Sequence, residues 1–396
     1  MTSTAITLTG TPNVPSLDRT AFWLLLAFVA SLQISIAAAD VLLTAMLLCW
    51  ATVLVREKVR PQAPAFFIPL LAYAAWTLVA TVFSFNFEVS FLDDKQLVLF
   101  LIVPAAYFVA RDGRANSVLD VVVSVGAASA VVGIIQYGVL HWDDLNQRPQ
   151  GALTHYMTYS GVLMLVICAA TARLAFGRRD RLWPALVLPA LVVALALTST
   201  RGAWIGACAG VAVILALKNV KLIALLPVIV GMMFLLAPGG ITARMSSVAD
   251  MKDPTVRDRV AMMRTGVAII KDQPLTGLGP DMVSRMYAEY RDPLAVNATN
   301  PHLHNVPLQI AAERGLPAVA VWCWFIVALV LGAWRQFRAG SEPVLSAAAL
   351  GVTAAMLVGG ITEYNFGDSE FLMLFLVLVT LPFAARHDRT TAPISR

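Results

Sequence analysis

The sequence is dominated by apolar segments that are each long enough, or nearly long enough, to cross a lipid bilayer. A bilayer core takes about 20 apolar residues as a helix, and lipid offers no partner for backbone groups outside a helix or a closed barrel. Of the 396 residues, 59% are hydrophobic and 13% are charged, against about 25% charged in an ordinary soluble domain. This composition excludes a soluble enzyme, a DNA-binding protein and a disordered scaffold. It predicts an all-α polytopic membrane protein.

The apolar pattern predicts about twelve transmembrane helices. They lie near residues 21–39, 41–55, 64–84, 96–110, 117–140, 156–176, 182–199, 202–217, 220–237, 315–334, 344–362 and 370–386. The chain then has three parts: residues 1–237 with nine spans, residues 238–314 as a loop domain that contains helices, and residues 315–396 with three spans and a tail. We expect no cleaved signal peptide, because residues 1–20 lack a basic segment followed at once by an apolar stretch.

Lysine and arginine indicate the orientation of these spans. With the N-terminus in the cytoplasm, the inner segments hold 17 basic residues, whereas the short outer loops hold only Lys95, Arg148 and Arg201. Cytoplasmic loops of membrane proteins carry such an excess of Lys and Arg. Both termini are therefore expected in the cytoplasm and the loop domain outside. The net charge of +5 then needs no nucleic-acid partner.

The loop domain is the first candidate for function, since long loops on a rigid scaffold often carry it. Asp253 as N-cap, Pro254 at the first position and Pro274 beyond the end predict a helix between them. Its apolar stripe is expected to pack onto the membrane domain; it comprises Val256, Val260, Met263, Val267 and Ile270. Four cations flank the stripe and either reach toward lipid headgroups or bind substrate: Arg257, Arg259, Arg264 and Lys271. Residues 274–280, PLTGLGP, are expected to reverse the chain.

Two histidines follow in the sequence NPHLHNVP, residues 300–307. Asn305 is expected to cap a helix that ends at Gly315, which puts His304 just before the positive end of the helix dipole. That position disfavours imidazolium and predicts a neutral histidine that can accept a proton. His302 and His304 could instead bind metal, but no Cys or third His is near in sequence. The pattern favours a general base over a metal ligand.

Arg201 ends an apolar segment at the outer surface, where this sequence otherwise has few arginines. It either anchors the span at the interface or is placed for a substrate. Adjacent acids are usually solvated, so little weight is given to the acids of the short outer loops: Asp93, Asp94, Asp143, Asp144, Glu363, Asp368 and Glu370. No Walker loop, HExxH or Ser/His/Asp signature is present, so ATP-driven and zinc-peptidase functions lack support.

Outer arginines with one neutral histidine suit a particular transfer reaction. Arginines neutralise a diphosphate through paired hydrogen bonds, and a histidine base removes the proton of an attacking hydroxyl. A diphosphate leaves already ionised and needs no general acid. Outside a bacterial inner membrane, the natural donor is a lipid-linked sugar diphosphate.

Three motifs resemble the O-antigen ligase and polymerase superfamily: STRGAWIG, a loop with R-x-x-x-M and KDQPLTGLG, and HLHNVPLQIAAERGLPA. The resemblance implies transfer of undecaprenyl-diphosphate-linked O-antigen to lipid A–core oligosaccharide at the periplasmic face of the bacterial inner membrane, with neither cofactor nor metal. It assigns Arg201 and either Arg264 or Arg259 to the diphosphate and His304 to the base. His302, Asn305 and Arg257 are expected to support them.

Three activities occur in this superfamily: ligase, O-antigen polymerase and protein O-oligosaccharyltransferase. The apparent lack of a C-terminal soluble domain argues against the third, and the resemblance and the compact chain favour the ligase. A transporter of lipid-linked glycans, from a different class, would be expected to show internal repeats and charges at mid-membrane, which the sequence does not display.

Overall fold

The computed structural model describes residues 14–144, 147–178, 181–227, 231 and 254–391, and these residues form helices and connecting loops without a β-strand. Fourteen α-helices are described, together with short 3₁₀ segments. They are α1 (Val14–Ser31), α2 (Ile36–Glu57), α3 (Phe67–Val82), α4 (Phe87–Asp93), α5 (Ile102–Val109), α6 (Ala115–Gly138), α7 (Tyr156–Phe176), α8 (Leu182–Leu197), α9 (Arg201–Lys218), α10 (Pro254–Asp272), α11 (Met282–Tyr290), α12 (Val306–Arg338), α13 (Pro343–Gly359) and α14 (Ser369–Thr391).

Six of the described helices, α2, α6, α7, α9, α12 and α14, are long and apolar enough to cross a membrane. Three more, α3, α8 and α13, are apolar but shorter. The all-helical, multi-pass character predicted from the sequence is thereby confirmed. The count of twelve spans and the side of the membrane on which the loop domain lies remain predictions.

Some predicted boundaries differ from the structure. The break between the first two helices falls at residues 32–35, because Ser35 caps α2 by accepting a hydrogen bond from the Ala38 N–H at 3.4 Å. The segment 96–110 is a 3₁₀ stretch, Asp94–Leu101, followed by the short α5. The segment 220–237 begins as a 3₁₀ turn at Val220–Ala224, and most of the rest lies outside the described residues.

The bundle is built around α7 and α14, whose apolar side chains are buried along most of their length. Helix α13 packs against α7 and α9, α12 against α3, and α6 against α8. The peripheral helices instead expose large apolar side chains such as Leu48, Ile68 and Leu186. An apolar exterior is costly in water but suits a surface that faces lipid tails.

The loop domain has a second, separate core. It is formed by Met262 and Ile269 of α10, Met282, Val283 and Tyr287 of α11, and Leu278, Leu303 and Ala312. The predicted apolar stripe of α10 is wrong: Met263 and Val267 are exposed, and the buried face is Asp258, Ala261, Met262, Thr265, Gly266 and Ile269.

Polar side chains point inward from α10 because the loop after α11 needs hydrogen-bond partners. Asp258 accepts hydrogen bonds from the backbone N–H groups of Val296 at 2.9 Å and Asn297 at 3.1 Å. The Thr265 hydroxyl accepts one from the Asp292 N–H at 3.1 Å. The hydrogen bonds that the buried side chains of Asp258 and Thr265 accept from this loop outweigh the apolar pattern of the helix. The predicted N-cap, Asp253, lies outside the described residues.

The PLTGLGP segment does reverse the chain, and it also docks onto a break in α12. The Leu278 N–H donates to the Ala312 carbonyl and the Leu316 N–H to the Pro274 carbonyl, each at 2.9 Å. Gly315 has a φ of +79°, and a Cβ there would lie 1.8 Å from the Leu275 carbonyl oxygen. The predicted helix end at Gly315 is confirmed, since α12 kinks there before continuing into the bundle. Only glycine permits both the backbone angle and the close approach.

Candidate functional site

Asn305 fixes the position of the two histidines. It is the N-cap of α12, and its Oδ1 accepts a hydrogen bond from the Leu308 N–H at 2.9 Å, as the sequence predicts. Its Nδ2 donates to the Ile361 carbonyl at 2.9 Å and so joins the start of α12 to the loop between α13 and α14. His304, with a φ of +49°, lies directly before this cap. The histidine is thereby held against the loop that contains Glu363.

Glu363 connects His304 with Arg259. Its Oε2 lies 2.9 Å from His304 Nδ1, and its Oε1 accepts a hydrogen bond from Arg259 Nη2 at 2.5 Å. Arg259 also donates to the Thr362 carbonyl. The side chains of His304 and Glu363 are each 13% exposed. Since an ionised carboxylate only accepts hydrogen bonds, His304 Nδ1 carries a proton and donates it to Glu363.

The environment of Glu363 keeps it ionised. Burial by itself raises the pKa of the Glu363 carboxyl, but the hydrogen bond to His304 and the positive charge of Arg259 outweigh it and lower that pKa. The carboxylate is therefore available as an acceptor for both neighbours at neutral pH.

His302 packs against His304, with 4.1 Å between the ring centroids, and lies 5.8 Å from the ring of Tyr364. Its Nδ1 is buried and has no hydrogen-bond partner among the described residues. Burial first, and then the charges of His304 and Arg259, lower the pKa of His302 to about 4. Burial thus favours the neutral form of His302.

Arg201 is the first residue of α9, and Thr200 before it makes no capping bond with its side chain among the described residues. The next residue, Gly202, approaches the Glu363 loop so closely that a Cβ there would lie 2.3 Å from Thr362 Oγ1 and 3.5 Å from Glu363 Cγ. The start of α9 therefore lies beside Glu363. Arg259 and His304, which are distant in sequence, meet at one carboxylate that sequence reasoning set aside, and the helix that begins with Arg201 starts beside it.

The motif left open whether Arg259 or Arg264 binds the diphosphate, and the structure places these two arginines in different surroundings. Arg264 is 58% exposed and lies 3.9 Å from Asp292, away from Glu363. Five residues on a helix turn by about 140°, so Arg259 and Arg264 cannot face one site together. Arg257 is exposed on α10. Of the candidate arginines on this helix, Arg259 is the one at the histidines.

A cavity of about 260 Å³ lies beside His302 and Glu363, within the bundle at the N-terminal ends of α7, α9 and α14. It is lined by His155, Met157, Thr158, Ser160, Gly161, Met164, Ala203, His302, Gly359, Glu363, Tyr364, Asn365, Gly367, Asp368 and Phe371. Ligand pockets typically measure about 300–1,000 Å³, so this cavity can take one small group rather than a whole lipid-linked glycan. The described part of the chain contains no cluster of three or more His, Cys, Asp or Glu side chains that could hold a metal ion.

Glu363 and Asp368 are the residues that sequence reasoning missed. Both lie in the connection ITEYNFGDSE, residues 361–370. The one signal in the sequence is that three acids, Glu363, Asp368 and Glu370, fall within eight residues.

The comparisons with known proteins agree with the motifs. A family model described as O-antigen ligase matches residues 185–323, a segment that contains Arg201, Arg259, Arg264, His302 and His304 and excludes Glu363 and Asp368. A search of the curated proteins found no match. Across residues 185–323, the chain is therefore similar to the O-antigen ligase family.

Proposed function

We propose that the protein transfers O-antigen polysaccharide from undecaprenyl diphosphate to lipid A–core oligosaccharide, at the periplasmic face of a bacterial inner membrane. The observation that carries the proposal is the bridge formed by Glu363, which holds a histidine on one oxygen and an arginine on the other. A base and a cation held side by side suit a hydroxyl that attacks a carbon bonded to a diphosphate. The family match supports O-antigen ligase or polymerase chemistry in general.

His304 is the base in this scheme. Glu363 orients the ring through Nδ1, as the third group of a catalytic triad does, and leaves Nε2 to take the proton of the acceptor hydroxyl. The acceptor oxygen forms a bond to the anomeric carbon of the donor while the bond from that carbon to the diphosphate oxygen breaks. The electron pair leaves with undecaprenyl diphosphate, so the proton on His304 is the only one that has to be returned to water.

Arg201 and Arg259 bind the diphosphate in this scheme. A guanidinium has five N–H donors. Arg259 donates from Nη2 to Glu363 and from Nη1 to the Thr362 carbonyl, so further N–H groups remain for the diphosphate. Arg201 lies at the N-terminus of α9, where the backbone N–H groups and the helix dipole also favour an anion. Charge on the leaving group is then neutralised by the protein's own cations, and no divalent ion or nucleotide enters the scheme.

Ligase and polymerase differ in the acceptor, which is lipid A–core for one and a second lipid-linked glycan for the other. We favour the ligase on the sequence resemblance. Deleting the gene for this protein from its host bacterium distinguishes a ligase from a polymerase. A ligase leaves lipid-linked polymer accumulating while long-chain lipopolysaccharide is lost, and loss of the polymer itself would instead indicate a polymerase.

A further inference from the structure

The cavity beside His302 has a second polar wall that the reaction scheme does not use. Thr158, in the first turn of α7, donates a hydrogen bond to Asp368 Oδ2 at 2.5 Å. His155 caps α7, with its Nδ1 accepting from the Met157 N–H at 3.3 Å, and its ring stacks on Tyr156. His155, Thr158 and Asp368 all line the cavity. We call these three residues the second wall.

The charges around the cavity do not suit a diphosphate. Arg201 and Arg259 are not among the described residues that line it, and no other Lys or Arg is, whereas the carboxyl groups of Glu363 and Asp368 are. The helix ends at the second wall are also capped, since Asp368 Oδ1 accepts from the Phe371 N–H at 3.0 Å. Their amide groups therefore offer less to an anion than the start of α9 does.

The same walls suit a neutral group rich in hydroxyls. Hydroxyl, imidazole and carboxyl side chains each form hydrogen bonds with sugar hydroxyls, and burial raises the pKa of the Asp368 carboxyl. Met164, Ala203 and Phe371 form apolar parts of the lining that can contact the C–H faces of a sugar ring. The volume of about 260 Å³ suits a single ring.

The cavity adjoins the base, and although its lining residue Glu363 also bonds Arg259, no Lys or Arg lines the cavity among the described residues. Two of its lining residues, His302 and Glu363, contact His304 directly. We infer that the cavity binds the sugar of the acceptor that carries the attacking hydroxyl, and that the second wall selects this sugar by hydrogen bonds to its other hydroxyls. The inference rests on the proposed glycosyl transfer and adds which substrate the cavity takes.

Two substitutions remove polar atoms of the second wall with little change in shape. Thr158→Val deletes the hydroxyl, and Asp368→Asn deletes the carboxylate while an amide still caps α14. Thr171→Val is the matched control, because Thr171 is buried on the same helix, bonds only the Ile167 carbonyl among the described residues, and lies outside the lining. With purified protein in proteoliposomes, both wall variants should raise KM for lipid A–core at least tenfold. Their KM for the undecaprenyl-diphosphate-linked donor should stay within twofold, as should both constants of the control.

A binding measurement without donor keeps the inference separate from the proposed reaction. Deacylated core oligosaccharide should bind the wild-type protein, the His304→Ala variant and the control, and should bind the two wall variants at least tenfold more weakly. Wild-type protein that binds this oligosaccharide but transfers nothing would refute the proposed function and leave the acceptor site standing. A rise in donor KM alone, unchanged acceptor constants in the wall variants, or no binding of the oligosaccharide to wild-type protein would each overturn the inference.

Discussion

Among single residues, substitution of Glu363 should disturb the site most, because each of its carboxylate oxygens bonds a different side chain of the site. An amide has one acceptor oxygen and one donor nitrogen, so Glu363→Gln cannot satisfy both Arg259 and His304. We expect kcat to fall by about a hundredfold, on the scale of lost general-base catalysis. Transfer kinetics in proteoliposomes measure this, with Glu289→Gln on the exposed side of α11 as the control. A fully active Glu363→Gln protein would show that the bridge serves structure only.

The two histidines are expected to differ in what they contribute. His304→Ala should lower the rate by more than about a hundredfold and leave donor binding intact, because it removes the base and leaves the arginines. His302→Ala should lose less, because a histidine whose pKa is about 4 is a weak base at neutral pH. Single-turnover rates with donor already bound compare the two. The reverse order of effects would assign the proton transfer to His302.

His302 also links stability to pH. Its pKa falls from an ordinary 6.5 to about 4 in the folded protein, so the unfolded chain binds a proton more readily between these values. The contribution of neutral His302 to the free energy of unfolding is fully present above pH 6.5. It is lost as the pH falls toward 4, and the loss amounts to roughly 3 kcal/mol in total. Thermal unfolding in detergent at pH 7 and pH 4.5 should show a smaller fall in Tm for His302→Gln than for the wild-type protein. Equal falls would mean that the ring is accessible to protons in the folded state.

At the scale of helices, the orientation of α10 places Arg259 rather than Arg264 at the histidines. Arg259→Ala should abolish transfer while the protein stays folded, and Arg259→Lys should rescue it poorly because a single ammonium cannot bind two partners in the geometry of a guanidinium. Arg264→Ala, on the same helix and largely exposed, is the matched control and should keep most activity. Transfer assays on membranes with equal amounts of each protein give the comparison. An inactive Arg264→Ala beside an active Arg259→Ala would reverse the assignment.

The local features of these helices could be predicted from the sequence, and the contacts between them could not. Asn305 as a cap and Gly315 as a helix end follow from preferences that act within a few residues. The partnership of Glu363 with His304 spans 59 residues, and no short-range pattern signals it. The inward face of α10 was mispredicted for the same reason, because Asp258 is buried by the demands of a loop some forty residues later.

For the whole molecule, the asymmetry of basic residues predicts that the loop domain lies outside and the α2–α3 connection inside. In a protein whose four native cysteines, Cys49, Cys168, Cys208 and Cys323, are replaced by alanine, a cysteine at Glu289 should react with an impermeant thiol reagent. The reagent is applied to cells with a permeabilised outer membrane. A cysteine at Gln62 should stay unlabelled until the inner membrane is broken. Both positions are exposed in the structure, so a reversed pattern would reflect orientation and would remove the basis for a periplasmic reaction.

The site is divided between two bodies, since Arg259 comes from the loop domain and Glu363 from the bundle. A donor that draws the guanidinium toward its phosphates competes with Glu363 for the same N–H groups, and thus weakens one of the bonds that seat the loop domain. Donor binding and the contact between the loop domain and the bundle therefore depend on the same side chain.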